Sequence, residues 1–564
     1  MLLAELYWSY CGVRIIFIAG KRPQGSKRIQ KKMIPLTNYK KNIKMQNTDS
    51  FSNDILKGYD FKELPSIVLG GAMLDGECLV NHFVKVPLKT LNRHGLIAGA
   101  TGTGKTKSMQ ILAEQLSNHG IPSLVIDIKG DLSGIAAPSP GHAKIDERHE
   151  VIGLPFKKGK APVEFFTLSE EKGVRMRATV SEFGPILFSK ILDLNATQSG
   201  VLAVVFKYCD DHKYPLLDLK DLRETLQYIT DVGKNEFKAD YGMVSTTTVG
   251  AILRRIVELE QQGAEAFFGE PSFDVDDLIR VNRSGKGVVS ILRVADIQDK
   301  PKLFSTFMLQ LLAEIYATFP EEGDMEQPKL CLFIDEAHLV FKNASKALLE
   351  QLEAIIKLIR SKGVGIFFVT QNPTDIPEDI LGQLGLKIQH ALRAFTAKDR
   401  KKIKLTAQNF PISPYYEVAD LLTKMGIGEA LVTVLNKKGI PTPLAHTLLR
   451  APQSRMDVLT DDEIDAIINK SKLIAKYADV EDRKSAYEIL EEKIEAASSE
   501  EHQEELKKQK KAARKSSSKD KSWLEKVYNS TTTRQIGRTV ARELTRGILG
   551  VLGIKTTRRR RRRR

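Results

Sequence analysis

Cysteine is scarce: Cys11, Cys78, Cys209 and Cys331 are the only four in 564 residues. They are too far apart for a disulfide framework, and with no CxxC pair and no histidine at ligand spacing they do not make a zinc site. Such usage fits a reducing cytoplasm. No run of eighteen uncharged apolar residues occurs, which argues against a membrane-spanning helix. No repeat with a period of roughly 20–50 residues is visible, which sets solenoids and propellers aside. The stretch from Leu2 to Ala19 is interrupted by Glu5 and Arg14, and its basic flank lies after the apolar part. It therefore fits a secretory signal poorly, and a start at Met33 or Met45 would leave it outside the native chain.

Positive charge is missing from the middle. The formal net charge is +16, yet residues 1–45 hold ten Lys or Arg against Glu5 alone and residues 501–564 hold 21 against six acids, which leaves residues 46–500 at −8. The basic character belongs to the ends, so the overall charge says little about the partners of the core.

What is present suffices for a large α/β core with appendages, since 42% of the residues are apolar. Residues 1–45 read as a basic extension that need not be native. Residues 46–92 read as a small β-rich lead-in, with Gly70, Gly71 and Gly76 as turn points and an apolar alternation from Val84 to Leu88. A sheet domain is expected over 93–455, with inserted helices at about 185–320. Those helices are expected from Pro185 to Tyr208, Leu216 to Ile229 and Thr246 to Gln262. Strands return at Gly287 to Leu292, Lys329 to Ile334, Val364 to Thr370 and Ile388 to Leu392. A helical segment over 456–506 and a basic, largely disordered tail over 507–564 follow.

Chemistry enters at Gly99-Ala100-Thr101-Gly102-Thr103-Gly104-Lys105-Thr106, a GxxxxGKT string between the strand-like HGLIAG and the periodic KSMQILAEQLSNHG. Glycines in that pattern let backbone amides curl around phosphates, and the helix that follows turns its positive end toward them. Lys105 is the expected contact to the β and γ phosphates, and Thr106 the expected Mg²⁺ ligand. A Gly-rich turn that merely caps a helix would not need the Lys-Thr pair as well.

The apolar run Leu332-Phe333-Ile334 ends in Asp335-Glu336, two acids at the edge where a nucleotide site opens in a parallel sheet. Asp335 is expected to hold Mg²⁺ and Glu336 to polarise the attacking water. Alone, the pair would more often be a strand end with a helix cap. Gln371, closing the run GIFFVTQ, is a candidate for reading the γ-phosphate. Arg393 and Arg360 are candidates for neutralising transition-state charge from a neighbouring subunit, Arg393 ranked first. Asp127, Lys129, Gly130 and Asp131 either line the same site or make an Asp/Gly turn.

Taken together, the strings NRHGLIAGATGTGKT, SEFGP, FFGEPSFD, FIDEAHLVF, LIRSKGVGIFFVTQNPTDIP, LGQLGLKIQHALRAFTAKD and GIGEALV, in this order from about residue 66 to 450, resemble the bacterial HerA-like members of the HerA/FtsK group of P-loop motor ATPases. The resemblance implies an α/β, RecA-like P-loop NTPase sheet domain that hydrolyses ATP with Mg²⁺. It further implies a homo-hexamer that translocates along or unwinds duplex DNA, with a nuclease or other protein as a possible partner. Residue by residue it supports Lys105, Thr106, Asp335, Glu336 and Gln371, and offers Arg393 and Arg360 as fingers. The alternative is an ATPase that acts on a protein or at a membrane. For that role the stripe from Ile536 to Ile554, bordered by arginines, is the candidate contact with an anionic surface.

Overall fold

Strands covered on both faces need apolar residues at every position, and the runs Leu330–Ile334 and Val364–Thr370 are buried throughout. The computed structural model describes residues 13–18 and 30–498, apart from 63, 170, 298–299, 324, 342–345 and 478–483. The tail over 507–564, with its stripe and arginine run, lies outside the described residues, as does Cys11.

A twelve-stranded sheet organises the chain, and Val13–Ile18 and Gln30–Pro35 pair apart from it as a two-stranded antiparallel sheet. Its strands are β1 (Ser66–Leu74), β2 (Glu77–Pro87), β3 (Gly95–Ala98), β4 (Ser123–Asp127), β5 (Val163–Thr167) and β6 (Val174–Arg175). They continue as β7 (Val289–Arg293), β8 (Leu330–Ile334), β9 (Val364–Thr370), β10 (Leu386–Gln389), β11 (Glu429–Val434) and β12 (Ala445–Leu449). The spatial order is β2-β1-β12-β11-β10-β3-β9-β8-β4-β7-β5-β6. From β10 to β6 all neighbours are parallel, and β11, β12, β1 and β2 extend the sheet by antiparallel pairing.

Successive side chains on a strand point to opposite faces, and the two cores follow that alternation. Leu332, Ile334, Ile366 and Phe368 pack on one face. Cys331, Phe333, Phe367 and Val369 pack on the other, where the Phe333 and Phe367 rings stack at 4.8 Å. The Phe333 face is covered by α1 (Leu36–Gly58), through Phe51 and Ile55, and by α2 (Lys105–Asn118), through Met109, Leu112 and Leu116.

The opposite face is covered by the helices between β6 and β7, by α7 and by α8. The former include α3 (Val180–Ile191), α4 (Ala196–His212), α5 (Leu219–Tyr228) and α6 (Thr246–Glu260), and the latter two are Pro301–Thr318 and Lys346–Ile359.

The single helix expected from Pro185 to Tyr208 is two. Thr179 and Glu182 form a reciprocal cap that starts α3 ahead of Pro185, and Gly184 at φ +63° kinks it there. Asp193, at φ +52°, turns the chain, and Asn195 with Gln198 caps α4. Beyond 455 the described chain is helical, with α10 at Asp461–Ile468 and α11 at Ala486–Ser498. The Asp221 carboxylate at the start of α5 accepts from the Tyr487 amide at 2.8 Å, which ties α11 to the inserted helices.

The hairpin of the β-rich lead-in is continuous with the main sheet: β1 pairs with β12, Gly70 opposite Leu449 and Gly71 opposite Leu448. A Cβ on Gly70 would stand 2.0 Å from the Leu448 carbonyl oxygen. Gly70→Ala is therefore expected to push this seam apart at a cost of about 1–3 kcal/mol. Thermal unfolding would show a lower midpoint, and an unchanged midpoint would mean the seam yields freely.

Candidate active site

The C-terminal ends of β3, β9, β8 and β4 stand side by side, because Ala98 pairs with Thr370, Ile334 with Phe368 and Ile334 with Ile126. Loops leaving these ends therefore meet at one edge. From β3 the chain turns through the phosphate-loop sequence into α2. Gly104, the residue before α2, sits at φ +112°, and a Cβ on Gly99 would meet His390 Cβ at 2.4 Å. Both positions thus require glycine. His390 supports the loop from below, its Nε2 2.8 Å from the Ser108 hydroxyl, and the Gly428 amide donates to the Thr103 carbonyl at 3.1 Å. The first-turn amides of α2 have no intrahelical acceptor, which makes this end of the helix receptive to anions.

Lys105 is buried, and its Nζ donates to the carbonyls of Gly99 at 2.8 Å and Ala100 at 3.2 Å. Burial, reinforced by the nearby Lys129 charge, lowers its pKa against the pull of Glu336 and Asp335. The Thr106 hydroxyl donates to Asp131 Oδ2 at 3.2 Å. Asp131 comes from the turn after β4, which Asp127 organises by accepting from the amides of Gly130, Asp131 and Leu132. Burial, with the Asp131 charge beside it, pushes the Asp127 carboxyl up to about 6.

Asp335 and Glu336 follow β8 and are 1% and 4% exposed. Lys129 reaches across from the β4 turn, its Nζ 2.5 Å from Glu336 Oε1 and 3.7 Å from Asp335 Oδ2. Burial raises the Asp335 carboxyl, with Lys129 opposing. At Glu336 burial acts in the same sense, but the Lys129 hydrogen bond and charge outweigh it and leave the carboxyl below its ordinary value. His338 Nδ1 stands 3.2 Å from the other Glu336 oxygen. Glu336 has φ +44°, a left-handed conformation that costs a non-glycine residue about 1–3 kcal/mol and is found at functional sites.

The donors at this edge suit a hard cation and polyphosphate. Asp335 Oδ2 and Asp131 Oδ1 are buried without a hydrogen-bond partner, and the Thr106 hydroxyl adjoins Asp131. Among the described residues no group of three or more His, Cys, Asp or Glu is arranged to hold a metal by itself. A Mg²⁺ ion here would thus share its ligands with phosphate and water.

The remaining candidates are distributed unevenly. Gln371 directly follows β9 and is exposed; with His338, Asn372 and Asp375 it lines a groove of about 870 Å³. Arg393 follows β10 on the same edge, is exposed, and donates from Nη1 to the Thr423 carbonyl at 3.1 Å. Arg360 precedes β9, so a seven-residue strand separates it from the phosphate-loop edge, roughly 20 Å. The Lys129 contact across the acidic pair was not readable from spacing, because it depends on β4 and β8 being neighbours. His390 was visible only as part of the string KIQHAL.

The order β10-β3-β9-β8-β4, with one strand between the phosphate-loop strand and the acidic strand, defines a RecA-like P-loop NTPase sheet. Residues 75–560 match the model of the family described as helicase HerA-like C-terminal, and the chain belongs to that family. It is similar to the DNA double-strand break repair helicase HerA of Sulfurisphaera tokodaii, 23% identical over 388 residues, or 66% of this chain and 68% of that protein. The protein of the same name from Sulfolobus acidocaldarius is 20% identical over 405 residues, 68% and 70% of the two chains. Among solved structures, the plasmid coupling protein TrwB in complex with ADP and Mg²⁺ is 15% identical, covering 70% of this chain and 97% of that one, with a TM-score of 0.45. VirB4 of Thermoanaerobacter pseudethanolicus is 16% identical, covering 68% and 96%, with a TM-score of 0.44.

Proposed function

We propose that the chain is an ATP-hydrolysing motor that works in the cytoplasm as a homo-hexameric ring and translocates along or unwinds duplex DNA. The observation that carries the hydrolytic part is the convergence of Lys105 and Thr106 with Asp335 and Glu336 at one sheet edge, with Lys129 bridging the acids. The names of the HerA relatives support DNA as the substrate.

In this reading the loop from Gly99 to Gly104, with Ala100, Thr101, Gly102 and Thr103, wraps the phosphates, and Lys105 leaves its carbonyl partners to contact the β and γ groups. Thr106 and Asp335, the latter through water, hold Mg²⁺, which when bound neutralises charge on the phosphates. Glu336 accepts a proton from the attacking water or aligns it. Gln371 reads the γ-phosphate. Arg393 or Arg360 reaches the site of a neighbouring subunit, and the distance of Arg360 from its own phosphate loop favours action between subunits for that residue. A partner nuclease or other protein would act alongside the ring.

The competing reading, an ATPase acting on a protein or at a membrane, would not respond to DNA. No helix among the described residues is long and apolar enough to cross a membrane.

Assembly is tested by light scattering of Glu336→Gln with ATP and Mg²⁺. A particle of about six chains is expected, and a monomer at every concentration would contradict the ring.

The Lys129 bridge adds a test at the catalytic pair. With Lys129→Met, the largest influence holding the Glu336 carboxyl low is gone and only the weaker pulls of His338 and Lys105 oppose burial, so the base needs a higher pH to stay ionised. The acidic limb of the pH–rate profile is expected to move to higher pH. A lower rate with an unmoved limb would reduce Lys129 to a packing role.

A further inference from the structure

After Arg393, on the sheet edge that carries the phosphate loop, the chain forms α9 (Ala397–Gln408), AKDRKKIKLTAQ. At 3.6 residues per turn, the buried residues Ile403 and Thr406 define its inner side, and Lys398, Arg400, Lys401 and Lys404 fall on the outer arc, where all four are exposed. The only acid in the helix, Asp399, lies on the other side. Its Oδ2 is occupied by the N-terminal cap, accepting from the amides of Phe395 and Thr396 and from the Thr396 hydroxyl at 2.9–3.1 Å.

None of the four cations forms an ion pair with a described residue. Lys398 with Lys401, Lys401 with Lys404, and Arg400 with Lys404 stand three or four residues apart, where like charges repel. This arc, free of ion pairs with described residues although Arg400 and Lys404 share a groove with Glu417 and Asp420, belongs to residues 46–500, whose net charge is −8, so it does not follow from a generally basic surface. From Lys398 to Lys404 the helix rises about 9 Å. Duplex DNA presents about five negative charges over the same length of axis with both strands counted, so an arc that spans a groove has phosphates of both strands within reach.

The arc is also joined to the phosphate-loop edge. Helix α9 packs on the turn Pro373–Asp375, two residues past Gln371, and its Leu405 and Gln408 line the groove of about 870 Å³ that Gln371 also lines. A shift of Gln371 as the γ-phosphate leaves would reach the helix that bears the cations through the Pro373–Asp375 turn.

The geometry points to the outer face of α9, formed by Lys398, Arg400, Lys401 and Lys404, as the surface that grips the phosphate backbone of duplex DNA and is displaced through the Gln371 strand end. This assignment rests on the reading of the protein as a DNA motor, and it adds the element that makes the contact.

The test compares three variants of the full chain with the unsubstituted protein. The first carries Lys398→Gln, Arg400→Gln, Lys401→Gln and Lys404→Gln. The second carries Lys398→Arg, Lys401→Arg and Lys404→Arg, and the third has Arg558, Arg559, Arg560 and Arg561 replaced by Gln. Affinity for linear duplex DNA is measured by fluorescence anisotropy at several salt concentrations, ATP hydrolysis with and without that DNA, and assembly mass by light scattering. The glutamine variant of α9 is expected to lose DNA stimulation and to flatten the plot of log affinity against log salt by about 3–4, with unstimulated hydrolysis and mass unchanged. The arginine variant keeps every property, and the tail variant keeps stimulation.

Retained stimulation in the α9 glutamine variant overturns the inference. So does a loss of assembly mass, which would make the face a subunit contact, or stimulation lost only in the tail variant. If the unsubstituted protein itself neither binds nor responds to DNA, the motor reading fails and this assignment falls with it.

Discussion

Glu336→Gln is expected to lower ATP turnover by about 10²–10⁴-fold, the usual contribution of a positioned general base, while nucleotide still binds. Glutamine keeps the shape of the side chain, and its amide oxygen can still accept from Lys129, 2.5 Å away in the native protein. It cannot accept a proton. The native carboxyl is suited to the task because burial would raise its pKa but Lys129 holds it down, so it remains ionised at neutral pH. Fluorescent-nucleotide titration and single-turnover hydrolysis separate the two effects. Turnover within a few-fold of the native rate would move the base to Asp335 or Asp131, both of which keep a buried oxygen without a hydrogen-bond partner.

Lys105→Ala has the second large effect, and it differs in kind. An ammonium making charge-assisted hydrogen bonds contributes about 1.5–3 kcal/mol for each, so nucleotide affinity is expected to fall by about 10–100-fold. Removing a cation that meets developing charge on the γ-phosphate adds a loss in turnover of about 10²–10³-fold. The fold itself should not suffer. Lys105 is buried and its charge is disfavoured there, so alanine removes a desolvation cost along with the hydrogen bonds to Gly99 and Ala100. An unchanged thermal midpoint with weak nucleotide binding is the expected pair of results. Native affinity in the alanine variant would remove Lys105 from the phosphate contact.

Parts of this arrangement could be read from the sequence because they are local. The phosphate-loop string occupies eight consecutive residues between a strand and a helix, and the strands at Leu330–Ile334 and Val364–Thr370 appear as short apolar runs with turn signals on either side. Other parts depend on contacts between distant segments. Lys129 and Glu336 meet because β4 and β8 are neighbours in the sheet, and no pattern within either segment gives that order. Likewise the β-rich character of residues 66–87 and the turn at Gly76 were visible, whereas Gly70 and Gly71, read as turn points, lie inside β1, and its pairing with Ala445–Leu449 was not readable.

The start of α3 was misread for a different reason. The apolar spacing marked a helix from Pro185, but the Thr179-Glu182 capping box lies six residues earlier and fixes the true beginning. Along the chain the two arginines differed little, with Arg393 ranked only slightly ahead. They separate only once β9 is seen to place Arg360 at its start and β10 to place Arg393 beyond its end.

The central claim is that hydrolysis at this edge is coupled to duplex DNA. Its most direct test is the steady-state rate of ATP hydrolysis by the full chain, titrated with linear duplex DNA at several salt concentrations. A parallel titration uses a chain ending at residue 557, which lacks the terminal arginine run. A severalfold stimulation that fades with salt, persists without the arginine run and vanishes in Glu336→Gln is expected. Steady turnover that is indifferent to DNA at every salt concentration would contradict the motor and turn the search toward a protein or membrane substrate.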